Sequence, residues 1–111
     1  MKIKDIIEKF ELKVMNEISE PERDISGGYT GDLLSDVIAN SKKDNVWITM
    51  QTHMNIIAVA SLKEISAIII VMGREVEKDA IEKANEEKVL ILGTNLSAFQ
   101  ISGKFFEYGI I

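Results

Sequence analysis

Two short, uninterrupted runs of apolar residues constrain the fold of this chain more than any other feature. The runs at residues 68–71 and 89–92 consist entirely of isoleucine, leucine and valine. A strand with one face in water alternates apolar and polar residues, whereas a strand covered on both faces is apolar throughout. Gly73 and Gly93 follow the runs and indicate turns. We therefore expect two strands of a parallel sheet that carries helices on both faces.

The rest of the chain alternates between the periodicities of strands and helices. The first part of the sequence predicts a helix with Ile3, Ile6, Ile7 and Phe10 on one face, a strand at 12–15, a loop at 16–24, a short strand and tight turn at 25–31 and a helix capped by Asp32. The second part predicts strands at 46–50, 67–72 and 89–92, each followed by a helix, at 54–63, 77–87 and 97–108 respectively. Repeated strand–helix units predict an α/β fold, a three-layer α/β/α sandwich with a largely parallel sheet, in which the first strands could pair antiparallel. Its 111 residues are expected to form one domain, residues 1–111.

Composition excludes several classes of function. The formal net charge is −5, and proteins that bind nucleic acid usually carry an excess of Lys and Arg, so we expect no nucleic-acid partner. The absence of cysteine removes disulfides and thiolate chemistry, and one histidine without cysteine predicts no zinc site. No signal peptide and no apolar run long enough to cross a membrane occur, which predicts a soluble, cytoplasmic protein.

The common catalytic motifs are missing. The chain has no dinucleotide fingerprint, no P-loop and no nucleophile elbow. His53 is the only histidine and could act as a general base, but no acidic residue adjoins it in the sequence. We therefore predict a protein that is not an enzyme, with no catalytic residues and no cofactor.

Polar residues after three of the strands suggest a ligand-binding site. In open α/β sheets, ligands bind outside the carboxyl ends of the strands. The loops there are 49–55, 73–75 and 93–97, and the candidate ligand-binding residues in them are Gln51, Thr52, His53, Asn55, Thr94 and Ser97. Each loop leads into a helix, whose free N–H groups favour an anion. The alternative is that Thr52 or Asn55, and Thr94 or Asn95, only cap the helices that follow.

Two helices are apolar on most of their circumference. They lie at 54–62 and 97–108, and the second contains Phe99, Phe105, Phe106 and Tyr108. A helix of this kind is either fully buried or contacts a partner. The outer helices of a small sandwich should have one face in water, so we predict a homodimer, the commonest kind of assembly.

The residues that connect these features resemble the DRTGG domain family. The similarity lies in Gly-Gly-Tyr-Thr-Gly-Asp-Leu-Leu-Ser-Asp-Val at 27–37, Val-Trp-Ile-Thr at 46–49, Gln-Thr-His at 51–53, Ile-Ile-Ala-Val-Ala at 56–60, Ala-Ile-Ile-Ile at 67–70 and Leu-Ser-Ala-Phe at 96–99. The resemblance implies a fold like the N-terminal domain of HPr kinase. Related domains occur in phosphotransacetylases, and beside CBS domains in regulated pyrophosphatases, where they contribute to dimerisation near a nucleotide-binding regulatory site.

The chain departs from the family at the motif that names it. Asp-Arg-Thr-Gly-Gly should follow the strand that ends at Thr49, but this chain has Thr-His-Met-Asn-Ile at 52–56. The resemblance still implies a regulatory, ligand-binding module without catalytic activity, and an adenine nucleotide or another small anion as its ligand. The alternative is a protein–protein interaction module that uses Tyr29, Trp47 or the last helix and binds no small ligand.

Overall fold

Five strands and five helices alternate along the computed structural model, which describes all 111 residues. The elements are α1 (Ile3–Phe10), β1 (Lys13–Val14), β2 (Gly27–Thr30), α2 (Leu34–Asn40), β3 (Asn45–Thr49), α3 (Asn55–Leu62), β4 (Ala67–Ile70), α4 (Lys78–Glu87), β5 (Ile91–Gly93) and α5 (Ala98–Tyr108). The longest helix has 11 residues, and none has the length and hydropathy of a membrane-spanning segment.

The strands form one sheet in the order β1-β5-β4-β3-β2. Strands β2 to β5 pair in parallel, and only β1 runs antiparallel, against β5, with Lys13 opposite Gly93. The predicted largely parallel sheet and α/β class are therefore confirmed, and the antiparallel pairing falls on the first strand alone. One consequence is that the carboxyl ends of four strands and the beginning of β1 share one edge of the sheet.

Helices cover both faces of the sheet. Ile3 and Ile6 of α1 and Ile101 and Phe105 of α5 join one buried cluster, and residues of α2, α3 and α4 join a second cluster on the opposite face. Each cluster contains 13 buried residues, so neither face is left open to water. This explains why β3, β4 and β5 are apolar throughout, as expected for strands between two helical layers.

The glycine-rich segment forms the predicted short strand, β2, but none of its glycines has the positive φ angle typical of a tight turn. Gly27 and Gly28 begin β2, at the edge of the sheet, and the last residues of the chain lie against them. A Cβ atom at Gly27 would come within 2.7 Å of the Ile111 carbonyl oxygen. Glycine is needed here because backbone approaches backbone, not because the chain turns.

Two aromatic residues predicted to contact a partner are used inside the fold. Trp47 is completely buried, and its indole N–H donates a hydrogen bond to the Gly31 carbonyl oxygen, so its proposed role in a partner interface is wrong. The Tyr29 hydroxyl hydrogen bonds to the Asp36 carboxylate, and this bond raises the pKa of Tyr29 above its ordinary value. Of the three predicted contact regions, only the last helix retains large exposed apolar side chains.

Candidate ligand site at the carboxyl edge of the sheet

The connections that leave β4 and β5 run to opposite faces of the sheet. The chain passes from β4 to α4, whose Ala80 and Ala84 pack in one cluster, and from β5 to α5, whose Ile101 packs in the other. Where neighbouring parallel strands send their connections to opposite sides, a crevice opens outside their carboxyl ends, and ligands in open α/β sheets bind at such points. The connections after β2 and β3 both lead to the same face as α4, so the topology places its crevice between β4 and β5.

A crevice with a volume of about 230 Å³ lies at this point. Its walls come from the beginning of β1 and from the loops after β4 and β5, and the lining residues are Glu11, Lys13, Met15, Gly73, Arg74, Glu75, Gly93, Thr94 and Asn95. Thr94 is the only one of the six predicted ligand residues in this lining. The sequence indicates 73–75 as a strand-end loop, but the charged residues of this loop are not among the six predicted ligand residues.

Backbone hydrogen bonds hold the two loops together at the base of the crevice. Gly73 N donates to the Thr94 carbonyl oxygen at 2.9 Å, and Met72 N donates to that of Leu96 at 2.9 Å. Met72 and Gly73 both have positive φ angles, 62° and 63°. Such angles are costly for a side chain like that of Met72 and are concentrated at functional loops. The turn after β4 is therefore fixed in a conformation that the sequence alone does not favour.

The charged side chains that line the crevice have no partners in the protein. Lys13 and Arg74 make no ion pair and no side-chain hydrogen bond, and neither do Glu11 and Glu75. The side-chain amide of Asn95 also makes no hydrogen bond within the chain. The crevice thus offers two cationic groups, two carboxylates and one amide, all free to interact with a bound molecule.

The end of β3 lies on the same edge but is organised around Asp32, which was predicted only to cap a helix. The helix begins one residue later, after Leu33, and no side chain caps it. Asp32 Oδ1 instead accepts hydrogen bonds from Thr49 Oγ1 at 2.7 Å and from Met50 N at 2.8 Å. The Asp32 carboxylate therefore joins the loop after β2 to the loop after β3.

Two of the predicted ligand residues in the loop after β3 already have partners. Gln51 Nε2 donates a hydrogen bond to the Asp32 carbonyl oxygen at 2.9 Å. His53 Nδ1 contacts the carboxylate of Glu77, the residue before α4, so the fold supplies the acidic neighbour that His53 lacks in the sequence. The two residues are 24 positions apart, and the packing of α3 against α4 together with a hydrogen bond from Glu77 N to the Thr52 carbonyl oxygen brings them together. The pair is exposed, and neither residue lines the crevice.

Of the four remaining predicted ligand residues, the side chains of Ser97 and Thr94 accept hydrogen bonds within the chain, whereas those of Thr52 and Asn55 have no partner in it. Ser97 caps α5: its hydroxyl accepts a hydrogen bond from Gln100 N at 3.2 Å, and Gln100 Oε1 accepts one from Ser97 N. Thr94 Oγ1 accepts from Leu96 N at 3.2 Å inside its own loop. Thr52 and Asn55 do not cap α3, which follows Met54 without a side-chain cap, and their side chains form no hydrogen bond within the chain.

Arg74 and Lys13 could not be selected from local sequence patterns. Lys13 enters the edge only because β1 runs antiparallel to β5, and the sequence does not reveal that β1 pairs at this side of the sheet. Arg74 lies in a loop that was recognised, but its lack of a partner is visible only in three dimensions. The one sequence signal for Arg74 is its position directly after Gly73, the glycine that follows β4.

The chain forms a largely parallel α/β sandwich with a crevice at the carboxyl edge of its sheet, and comparison with solved structures finds the same fold. The chain is similar to a crystal structure of the CBS and DRTGG domains of the regulatory region of Clostridium perfringens pyrophosphatase, complexed with its activator diadenosine tetraphosphate. The TM-score is 0.71 with 16% identity, over 92% of this chain and 44% of that one. The chain thus has a DRTGG-type fold and spans less than half the length of this neighbour.

Comparisons at the level of sequence are negative. No family model matches the chain, and no curated protein matches it. The resemblance to the DRTGG family is therefore confirmed as a resemblance of fold. In addition, no three His, Asp or Glu side chains come together in an arrangement that could hold a metal ion.

Proposed function

We propose that this protein is a non-catalytic, cytoplasmic regulatory module that binds a phosphorylated small molecule, an adenine nucleotide, at the carboxyl edge of its sheet and acts as a homodimer. The observation that carries the proposal is the crevice between β4 and β5, where Arg74 and Lys13 have no partner in the protein. Unpaired cations beside a strand-end crevice are suited to charge-assisted hydrogen bonds with phosphate oxygens.

The size of the crevice supports a particular mode of binding. Sites that enclose a whole drug-sized ligand usually have volumes of roughly 300–1,000 Å³. A volume of about 230 Å³ is suited to the phosphate part of a nucleotide, with the base outside. Asn95 and Glu75 can then bind the ribose hydroxyls, while Thr52 and Asn55, at the end of β3, can reach a longer ligand.

The fold supports a nucleotide as the class of ligand. The structural neighbour is part of a regulatory region, and the activator bound to it is diadenosine tetraphosphate. This chain lacks the Asp-Arg-Thr-Gly-Gly residues after β3, so cations from other elements have to neutralise the phosphates. Arg74 and Lys13 are suitably placed for this role.

The decisive experiment compares two double variants by isothermal titration calorimetry with AMP, ADP, ATP and diadenosine tetraphosphate. Lys13→Ala/Arg74→Ala removes both crevice cations. Lys42→Ala/Lys63→Ala removes the same charge from the opposite edge, near the beginning of β3 and the end of α3. A hydrogen bond to a charged group contributes about 1.5–3 kcal/mol. The crevice variant should therefore bind at least about tenfold more weakly, and the control should bind like the wild type.

Several results would contradict the proposal. If no nucleotide at millimolar concentration binds or shifts the melting temperature, the ligand class is wrong. Equal loss of affinity in both double variants would mean that only overall charge matters. Loss of binding in Asn55→Ala but not in Lys13→Ala/Arg74→Ala would move the site to the end of β3. Circular dichroism of each variant verifies that the fold is intact.

A further inference from the structure

The outward face of α5 carries two exposed phenylalanines on either side of a glycine. Phe99 is 89% exposed and Phe106 is 66% exposed, while Ile101 and Phe105 on the inward face are buried. Residues 99, 103 and 106 are spaced by four and three, so they lie on one face of the helix. The largest apolar patch on a monomeric protein often has a function in binding, and these two side chains form such a patch on α5.

Gly103 has no function within the chain that explains it. A Cβ atom built at Gly103 would meet no other atom within 4 Å, and its φ angle is not positive. Glycine inside a helix costs about 0.5–1 kcal/mol relative to alanine. The chain therefore keeps a destabilising residue at a position where an alanine would fit. Close approach of another backbone is a physical reason for glycine at such a position.

A groove lies beside this face, and its size suits an aromatic ring. It has a volume of about 230 Å³ and lies between β2 and α5, where Thr30 Oγ1 and Ser102 Oγ are 2.7 Å apart. Most of its lining is apolar, and the residues are Gly28, Thr30, Ile48, Ser102, Phe105, Phe106, Ile110 and Ile111. Phe99 of the same chain is not part of the lining, so the chain presents an apolar knob and an apolar groove on the same surface.

From this arrangement we propose that the outward face of α5 binds a second copy of this chain across a twofold axis near Gly103. The proposal rests on the homodimer in the proposed function and assigns the surface that forms it. When two α5 helices cross antiparallel at Gly103, Phe99 of each protomer faces Phe106 and the groove of its partner. A single twofold axis therefore places Phe99 of each protomer against the groove of the other, as an isologous interface requires.

Charge and area agree with a second copy as the occupant. Two copies with a net charge of −5 repel each other, but α5 carries only Lys104 and Glu107 and is neutral. In contrast, α4 has four carboxylates and two lysines. With roughly 200 Å² for a whole aromatic side chain, Phe99 and Phe106 expose about 300 Å² per copy at 89% and 66% exposure. That is more than a third of the roughly 800 Å² that each partner buries in a standard interface.

The test measures the mass of the protein by light scattering across a range of concentrations. We expect the wild type to have twice the 12.4 kDa of one chain, and Phe99→Ser to raise the dissociation constant of the dimer by at least tenfold. Leu62→Ser is the matched control: Leu62 is 68% exposed on α3, in the opposite helical layer, so this variant should remain a dimer. Circular dichroism and thermal melts show whether each variant is folded.

Gly103→Ala provides an independent readout with opposite expectations. If α5 faces solvent, alanine raises the melting temperature, because it is the better helix former, and leaves the mass unchanged. If two helices meet at Gly103, alanine weakens the dimer although it stabilises the isolated helix. A higher melting temperature without any loss of dimer would overturn the assignment of this surface.

The outcomes separate this assignment from the proposed function. A wild-type dimer that survives both Phe99→Ser and Gly103→Ala overturns the α5 interface and leaves the homodimer intact. A wild type that is monomeric at every concentration overturns both the interface and the homodimer, and leaves the nucleotide site to be judged by calorimetry. A monomer that binds a different protein through Phe99 would establish the interaction-module alternative and overturn a second copy as the occupant.

Discussion

The end of β3 and the crevice between β4 and β5 lie on one edge of the sheet, yet they use polar residues in opposite ways. At the end of β3, the Asp32 carboxylate accepts hydrogen bonds from the Thr49 hydroxyl and from Met50 N, and the Gln51 side-chain amide donates to the Asp32 carbonyl oxygen. In the crevice, the side chains of Arg74 and Lys13 have no partner in the chain. The polar residues that follow β3 in the sequence therefore mainly hold two loops together, whereas charged residues from separate parts of the chain line the candidate ligand site.

The largest expected effect comes from breaking the junction at Asp32. In Asp32→Ala, the Thr49 hydroxyl, in a residue that is only 1% exposed, loses its acceptor, and Met50 N loses one as well. Bonds to a charged acceptor contribute about 1.5–3 kcal/mol, so we expect the free energy of unfolding to fall by about 2 kcal/mol. Urea unfolding followed by Trp47 fluorescence measures this change.

Two controls make this test a direct comparison of the two regions. Asp32→Asn keeps an oxygen acceptor and should lose less stability than Asp32→Ala. Glu75→Ala removes a carboxylate from the crevice that has no partner, so its free energy of unfolding should stay within about 0.5 kcal/mol of the wild type. Equal losses for Asp32→Ala and Glu75→Ala would mean that the two regions do not differ as described.

A smaller effect is expected at Ser97, which was predicted as a ligand residue and lies at the beginning of α5. Replacing an N-cap serine by alanine typically costs about 1 kcal/mol, so Ser97→Ala should lower the free energy of unfolding by that amount. Ser97→Asp keeps a capping oxygen and should retain most of the stability. If the uncharged capping variant Ser97→Asn is stable but no longer binds nucleotide, Ser97 contacts the ligand in addition to capping the helix.

The sequence predicted the architecture well because the architecture depends on local patterns. Apolar runs closed by glycine and helices of 3.6-residue period are enough to place the strands at 67–72 and 89–92 and the layers around them. The antiparallel position of β1 depends on which strand it pairs with, a long-range choice that a two-residue strand cannot reveal. The same limit explains why Lys13 was not selected.

The site was harder to predict because it depends on which polar groups are already satisfied. Gln51 and His53 looked available in the sequence, but Asp32 and Glu77, which lie 19 and 24 residues away, are their partners in the fold. A helix cap also looks the same in sequence as a ligand hydroxyl, and Ser97 belongs to the first kind in this structure. Only the three-dimensional pairing separates a partnered polar residue from a free one.

The smallest expected effect concerns the partnered pair Tyr29–Asp36, next to the Asp32 junction. Because Tyr29 keeps its proton to donate to the Asp36 carboxylate, its pKa is raised above the ordinary value of 10.0. A raised pKa in the folded state means that the bond contributes stability below the ordinary pKa, and that this contribution is lost as the pH rises through the raised one.

Ultraviolet titration of the phenolate should therefore show Tyr29 ionising above pH 10.0 in the wild type and at lower pH in Asp36→Asn, which removes the charge of the acceptor. Tyr29→Phe identifies the signal, because the chain has one other tyrosine. The wild type should be slightly more stable than Asp36→Asn at neutral pH, and the difference should vanish in strong alkali. If the pKa of Tyr29 does not move in Asp36→Asn, the hydroxyl is not held by the carboxylate, and the partnered region ends at Asp32.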